Sequence, residues 1–456
     1  NFRTNIYGAL LTNPAIFDVE ILPGFDGDNN VEVGPWDGKT VVIPVVNEEA
    51  KTVAVTSPAE FIGLAQLVNG TEGAAARDFE GFTITLDGNI DFGGNEITPI
   101  AGDATRVGSE VIGKAFKGVI DGNGATISNF TLTNDAKDAN LGFIGNLTGE
   151  GAELKNIKFD NITISAPDCE QVALVANLTG GAKVTDVHVL SGTVSGKQAV
   201  GGIVGRMMRD ASVTGCSNAA DISGSTNNVG GIVGAAYYTQ TGKVMTITDC
   251  TNTGDIHADN VCAGGIAGLS AADISGCTNT GNISGFNNSV GGIVGQQNAR
   301  GNISDCVNRG NIDGGQSESV GFGGIVGWIV YNNIPSSYPN YSEIHISGCE
   351  NYGDVVAAKA TTVSGIVGLT YRHATITDCG NYAGLLASGN MAAGITVYQN
   401  VGNKLPDTEA HLTVSGCTST TNTETQMNAG LKGEIVYDNT VGANTTIENN
   451  TYNPAL

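Results

Sequence analysis

The residues that could do chemistry in this chain recur at fixed offsets. A cysteine closes a [Ser/Thr]-[Gly/Asp]-Cys element at Cys216, Cys250, Cys277, Cys306, Cys349 and Cys379, and Asn218, Asn252, Asn279, Asn308, Asn351 and Asn381 each follow two residues later. Such an amide row could grip a ligand, or form an internal ladder that pairs its own polar groups. Six residues before the cysteine position stand Glu343, His373 and His411, in consecutive copies, and a stacked carboxylate with two imidazoles could chelate zinc or another divalent ion. Glycosidic cleavage needs two carboxylates about 5–9.5 Å apart. Asp210 and Glu343 share an offset, but the four copies between them correspond to about 19 Å at strand spacing, too far for that reaction. Asp255 and Asp354 precede apolar residues at corners and read as turn residues.

A second group is aromatic and basic. Between one repeat and the next lie Arg206 to Arg209, Tyr237, Tyr238, Lys243, Gln296, Gln297, Arg300, Trp328, Tyr331, Tyr338, Tyr341, Tyr371, Arg372 and Tyr398. Rigid aromatics with arginine suit binding interfaces, and their faces stack on sugars or peptides. The candidate ligand-binding residues are therefore Tyr237, Tyr238, Trp328, Tyr331, Tyr338, Tyr371 and Arg372. The alternative is that they cover an apolar flank.

The element that must position these groups is a repeat built like Cys277–Gly295, CTNTGNISGFNNSVGGIVG. Its final residue recurs as Gly145, Ala176, Gly205, Gly234, Gly268, Gly295, Gly327, Gly368 and Val397, nine copies separated by 27 to 41 residues. Short Val/Ile runs punctuated by glycine are strands, and a period of this size marks a solenoid. From each cysteine to the next anchor the chain takes 18, 18, 18, 21, 19 and 18 residues; from anchor to cysteine it takes 9 to 22. The variable side is expected to face the surroundings. The cysteine position holds Phe130, Ile157 and Val187 in the early copies, which makes it an inward apolar slot and the nine cysteines a ladder of free thiols rather than disulfides.

Composition narrows the function. Glycine is 66 of 456 residues, assigned here to corners with positive φ, and the net charge of −24 argues against nucleic acid or anionic membrane as partners. No apolar run is long enough to span a bilayer, so direct membrane insertion is not expected, and no cofactor motif is present. Residues 57–70, SPAEFIGLAQLVNG, predict a helix with Ser57 as cap, Glu60 closing a capping box and Phe61, Leu64, Ala65 and Val68 as its apolar stripe. It is read as a lid on the solenoid's first turn.

The order LAQLVNG, FEGFTITLDGNIDF, ITPI, FKGVIDGNGATISNFTL, LGFIG and repeated VGGIVG resembles the GLUG-motif surface proteins, over about residues 50–400. The opening NFRTNIYGALLT resembles fimbrillin-like pilus proteins of Gram-negative gut anaerobes. The first resemblance implies a parallel β-helix adhesin displayed at the outer membrane or secreted, and transfers no catalytic residue; the second implies a sandwich or anchor upstream.

The expected architecture is an all-β, right-handed parallel β-helix of about nine rungs, three strands each, with an N-terminal α-helical cap. Residues 1–40 form a strand or linker segment, 41–130 the cap and first strands, 131–419 the repeats and 420–456 an irregular C-terminal cap. The expected function is non-catalytic adhesion to an extracellular glycan or host surface protein, with other pilus or surface subunits as further partners. A polysaccharide lyase or hydrolase and a passive stalk are the alternatives.

Overall fold

A computed structural model of the chain describes residues 36–454, apart from 103–104, 108–109, 138, 238–243, 261, 286–288, 299–300, 315–319, 331–342, 358, 371–373, 388–390, 399–410, 422–430 and 439–443. The fimbrillin-like opening lies outside the described residues.

One turn shows how the sequence makes the coil. Thr246–Thr248 and Thr251–Asn252 form two short strands on either side of a kink at Asp249-Cys250, followed by Ile256–Ala258, Cys262–Gly264 and Ala267–Ser270. Side chains alternate in and out along each strand. Ile247, Cys250, Ile256, Ile266 and Ala267 therefore point inward and are fully buried, a burial worth about 1.5–3 kcal/mol for each large aliphatic. Apart from two antiparallel pairs, Val46–Asn47 with Thr52–Val55 and Thr105–Val107 with Glu110–Ile112, the described strands pair in parallel with the equivalent strand one turn on, and these ladders make four sheets, numbered in the order the chain visits them within a turn. The third and fourth sheets each have ten strands among the described residues, and the second has nine.

The nine anchors occupy one column of the fourth sheet, from the pairing of Ile144–Thr148 with Val175–Thr179 through to that of Val367 with Thr396. The protein is an all-β parallel solenoid of about ten turns. The tenth comes from residues assigned above to an irregular cap: Leu431–Gly433, Val436–Asp438, Asn444–Glu448 and Thr451–Tyr452 continue three of the ladders. Their anchor position holds Tyr437 in place of glycine, which hid the repeat.

Each turn has four strand stretches where three were expected, because the paired glycines of GGIVG bend one stretch into two. The reason for glycine here is space, not positive φ. A Cβ on Gly265 would lie 2.2 Å from Gly292 O and 2.3 Å from Asn279 Cγ; one on Gly268 would lie 2.5 Å from the Val229 nitrogen. The third and fourth sheets thus fold against each other along their outer faces, and the coil is thin at this corner.

The helix α1, Pro58–Asn69, closes the first turns. Ser57 Oγ accepts the Glu60 N–H, whereas Glu60 reaches back one residue further than a capping box requires, accepting from the N–H and hydroxyl of Thr56. Phe61, Leu64, Ala65 and Val68 are buried. Phe61 stacks on Phe143 with ring centroids 4.8 Å apart and meets Phe92 edge-on, so the lid joins a phenylalanine cluster filling the first turns.

Candidate functional site

The thiols and amides are internal. Cys216, Cys250, Cys277, Cys306, Cys349, Cys379 and Cys417 are free and buried, as are Cys169 and Cys262. Each sulfur of the column sits against backbone carbonyls, as Cys250 does with Thr248 O at 3.2 Å and Val213 O at 3.9 Å. The slot continues through Val187 and Ile157 to Ala125, not Phe130, because Thr126 pairs with Lys158 and the Asp121–Gly124 corner lies within the first sheet. Asparagine Nδ2 groups donate to the Oδ1 of the next turn at 2.8–2.9 Å from Asn218 through Asn381, and each also donates to the carbonyl two residues ahead. At the last step Asn381 donates to Thr421 Oγ1, at 2.7 Å, in place of the expected Ser419. With both amide ends engaged inside the coil, this row holds the coil together and meets no ligand.

The aromatics singled out from the sequence separate into two groups. Tyr238, Tyr331, Tyr338, Tyr371 and Arg372 lie outside the described residues. Tyr237 and Trp328 are half-buried in the seam between the third and fourth sheets. Tyr237 packs on Ala199, Ala235 and Leu269, accepts from Asn228 Nδ2 at 3.2 Å and has Arg206 Cζ 5.4 Å from its ring centre. Trp328 packs against a cluster of Leu369, Met391, Ala393 and Val397. Arg206, Met207 and Met208 are buried too. Tyr237 and Trp328 thus pack on apolar neighbours, in two separate clusters.

Of the metal candidates, Glu343 Oε1 and His411 Nε2 are 3.3 Å apart, and Thr375 Oγ1 donates to the same carboxylate oxygen. Ile344, Ala374 and Leu412 are register partners on three successive turns, and His373 lies outside the described residues. Among the described residues no three His, Cys, Asp or Glu side chains gather as a metal site.

The exposed face that does carry a constellation is on the constant-length side. It is the outer surface formed by the second half of the first sheet and by the second sheet, spanning the turns of Cys216 to Cys379. Three residues after the cysteine stand Arg309, Tyr352 and Tyr382. The Tyr352 and Tyr382 rings stack at 5.0 Å with 24° between planes, and Arg309 Cζ lies 4.4 Å from the Tyr352 ring centre. Tyr352 and Tyr382 remain 40% and 42% exposed, and Leu386 beside them is 51% exposed. Tyr352 Oη donates to Glu350 Oε2 at 3.1 Å, and this acceptor and burial raise the tyrosine pKa, burial first. The Tyr382 ring reclines over Gly380, where a Cβ would lie 2.5 Å from the ring.

On the same face, ending one turn before Arg309, is a cavity of about 270 Å³ lined by Thr193, Asp221, Asp255, His257, Asn282 and Ser284 among others. Its wall is held by side chains that cap the next turn's backbone: Asp221 accepts from Asp255 N at 3.2 Å and Asp255 from Asn282 N at 2.8 Å; Asp354 repeats the contact outside the cavity, accepting from Gly384 N at 2.9 Å. Asp255 and Asp354 are the corner residues they were read to be. The tyrosine pair escaped the sequence reading because length variation drew attention to the other side of the coil. Its signal was the shared offset of Arg309, Tyr352 and Tyr382 from their cysteines.

No family model matches the chain. It is 37% identical to halomucin of Haloquadratum walsbyi over 95 residues, which are 21% of this chain and 1% of halomucin. Among solved structures, a putative immunoglobulin A1 protease from Bacteroides ovatus aligns with 81% of this chain and 84% of its own, at 16% identity and a TM-score of 0.38.

Proposed function

We propose that this protein is an adhesin, displayed on the bacterial outer membrane or secreted, that binds an extracellular glycan along the face bearing Arg309, Tyr352 and Tyr382. The observation that carries the reading is that stack of two half-exposed tyrosines under an arginine, on the same face as a cavity whose wall includes hydroxyl, amide and carboxylate side chains. Aromatic rings supply the apolar contact a sugar ring takes, and the neighbouring polar groups can hydrogen-bond its hydroxyls. Successive turns stand about 4.8 Å apart, close to the length of one sugar ring, so a chain lying along the coil would meet similar groups at each turn. The surface is acidic, which favours neutral or basic ligands over nucleic acid. Among the described residues no helix is long and apolar enough to cross a membrane. Pilus or other surface subunits would anchor or present the coil.

A glycan and matrix-protein array with the whole chain tests this. The expected result is glycan binding that Tyr352→Ala plus Tyr382→Ala weakens at least tenfold while Trp328→Ala leaves it nearly intact. Binding to matrix protein alone, binding indifferent to the tyrosine pair, or no binding at all would overturn it, the last favouring a stalk.

A further inference from the structure

His257 and Ser284 are register partners on adjacent strands of the second sheet. Ile256, Ala258 and Ile283 turn inward and are buried, so the imidazole and the hydroxyl both project from the outer face, where His257 Nδ1 and Ser284 Oγ are 2.8 Å apart. The other ring nitrogen, Nε2, is 2.9 Å from Asp259 Oδ1. An ionised carboxylate can only accept, so the proton resides on Nε2 and Nδ1 turns a lone pair toward the serine hydroxyl. The Ser284 hydroxyl has two acceptors in reach, the nearer His257 Nδ1 and the Ile256 carbonyl at 3.2 Å, so nucleophile, base and orienting carboxylate are adjacent, with the two ring nitrogens exchanged relative to the serine-protease arrangement. The His257 side chain is 44% exposed and lines the 270 Å³ cavity, as do Ser284, the Thr193 hydroxyl and the Asn282 amide.

The fold supplies its own comparison. His188 and Ser217 make the same cross-strand contact, at 2.9 Å, in the first sheet. Among the described residues no carboxylate hydrogen-bonds the His188 Nε2. Register alone gives the serine–histidine pair, and His188 also lines a cavity, with Asn123 and Asn156; the aspartate at Nε2 belongs to His257.

We propose that Ser284, His257 and Asp259 hydrolyse small neutral carboxylic esters of the kind found as O-acyl groups on glycans, an activity that uses the cavity of the face assigned above but not its tyrosine stack. Asp221 and Asp255 in the cavity wall disfavour anionic substrates. Ser284 Oγ bonds to the acyl carbon as its proton passes to His257 Nδ1. The bond to the alcohol oxygen then breaks, and that oxygen takes the proton from Nδ1. Water next adds to the acyl carbon, giving a proton to Nδ1, and Oγ departs with that proton to restore the hydroxyl and release the acid. Asn282, whose Nδ2 also donates to Asp255 Oδ1 at 3.2 Å, is the side-chain donor in the cavity wall for the transient oxyanion. Asp259 is a positioning residue.

The test is fluorophosphonate labelling of the whole chain read by intact mass and peptide mapping, together with turnover of 4-nitrophenyl acetate. The expected result is one adduct on Ser284, absent from Ser284→Ala and His257→Gln and retained in Ser217→Ala. The kcat/KM for the acetate ester should fall at least ~100-fold in the first two variants, and Asp259→Asn should displace the pH–rate profile as well as lower it. Tyr352→Ala plus Tyr382→Ala should keep this turnover, so that failure of glycan binding and failure of hydrolysis are told apart. No adduct, an adduct that survives Ser284→Ala, or turnover unchanged in Ser284→Ala would overturn the proposal.

Discussion

At the scale of single residues, the solenoid decides which reactive groups are available. Cysteine is the clearest case. Burial pushes the Cys262 thiol up to about 12 and the Cys169 thiol up to about 11, from an ordinary value of 9.0. A group whose folded pKa is raised keeps its proton in the native state after the unfolded chain has lost it. Its contribution is therefore fully present below pH 9 and is lost as pH rises toward 12. Denaturant midpoints should fall between pH 8.5 and 10.5, and less steeply in Cys262→Ala, which also loses the thiol's contact with Gln296 Oε1 at 3.3 Å. At pH 8 a thiol reagent should find fewer than about one of the nine cysteines in native protein and all nine after unfolding, since the thiolate is the reactive form and the sulfurs are buried. Rapid native labelling, or a midpoint flat to pH 10.5, would count against a sealed interior.

At the scale of elements, the kink before each cysteine follows a rule visible only across turns. The preceding residue is in the left-handed region and alternates: Asp186, Gly215, Asp249, Gly276, Asp305, Gly348, Asp378, Gly416, with φ between 51° and 66°. The aspartate of one turn leans over the glycine of the next, so that a Cβ on Gly276 would lie 2.3 Å from Asp249 Oδ1. Gly276→Asp adds that clash and a second carboxylate, and should cost about 2–3 kcal/mol in urea unfolding. Asp249→Gly should cost about 1 kcal/mol or less and, combined with Gly276→Asp, restore most of the loss, a coupling that a double-mutant cycle reads directly. Strict additivity would show that the two positions do not meet. The alternation was in plain sight as [Gly/Asp], yet its meaning needs neighbours 27 to 43 residues apart to be stacked first. The same limit explains other successes and misses. Anchors, cysteines and asparagines were legible because equal offsets survive insertions elsewhere. Phe130 was misplaced because it was counted from a distant anchor across a variable loop. The need for glycine in GGIVG was missed because sequence does not show that two sheets close on one another at that corner.

At the scale of the whole molecule, each turn pairs with the turn before and the turn after it, so stability is close to a sum over turns and their interfaces. The two ends of the coil differ. At the first turns α1 and the rings of Phe61, Phe92, Phe130, Phe143 and Phe159 seal the core, with adjacent centroids 4.8–6.2 Å apart. At the last turn Ile447 is 50% exposed, and the positions of Lys432 to Tyr437 are exposed or half-buried where earlier turns are closed. A one-dimensional array opens from its weaker end. Amide exchange should therefore be fastest in Leu431–Tyr452, slow progressively toward the turns of Cys277 and Cys306, and remain slow through the phenylalanine cluster. Phe61→Ala removes the ring that ties the lid to that cluster, at a cost of about 3–5 kcal/mol, and should turn the gradient around, raising exchange in residues 52–100 while leaving the last turns unchanged. Uniform exchange along the chain, or a response to Phe61→Ala at both ends, would mean that the solenoid unfolds as one cooperative unit and that its turns are not the units of its stability.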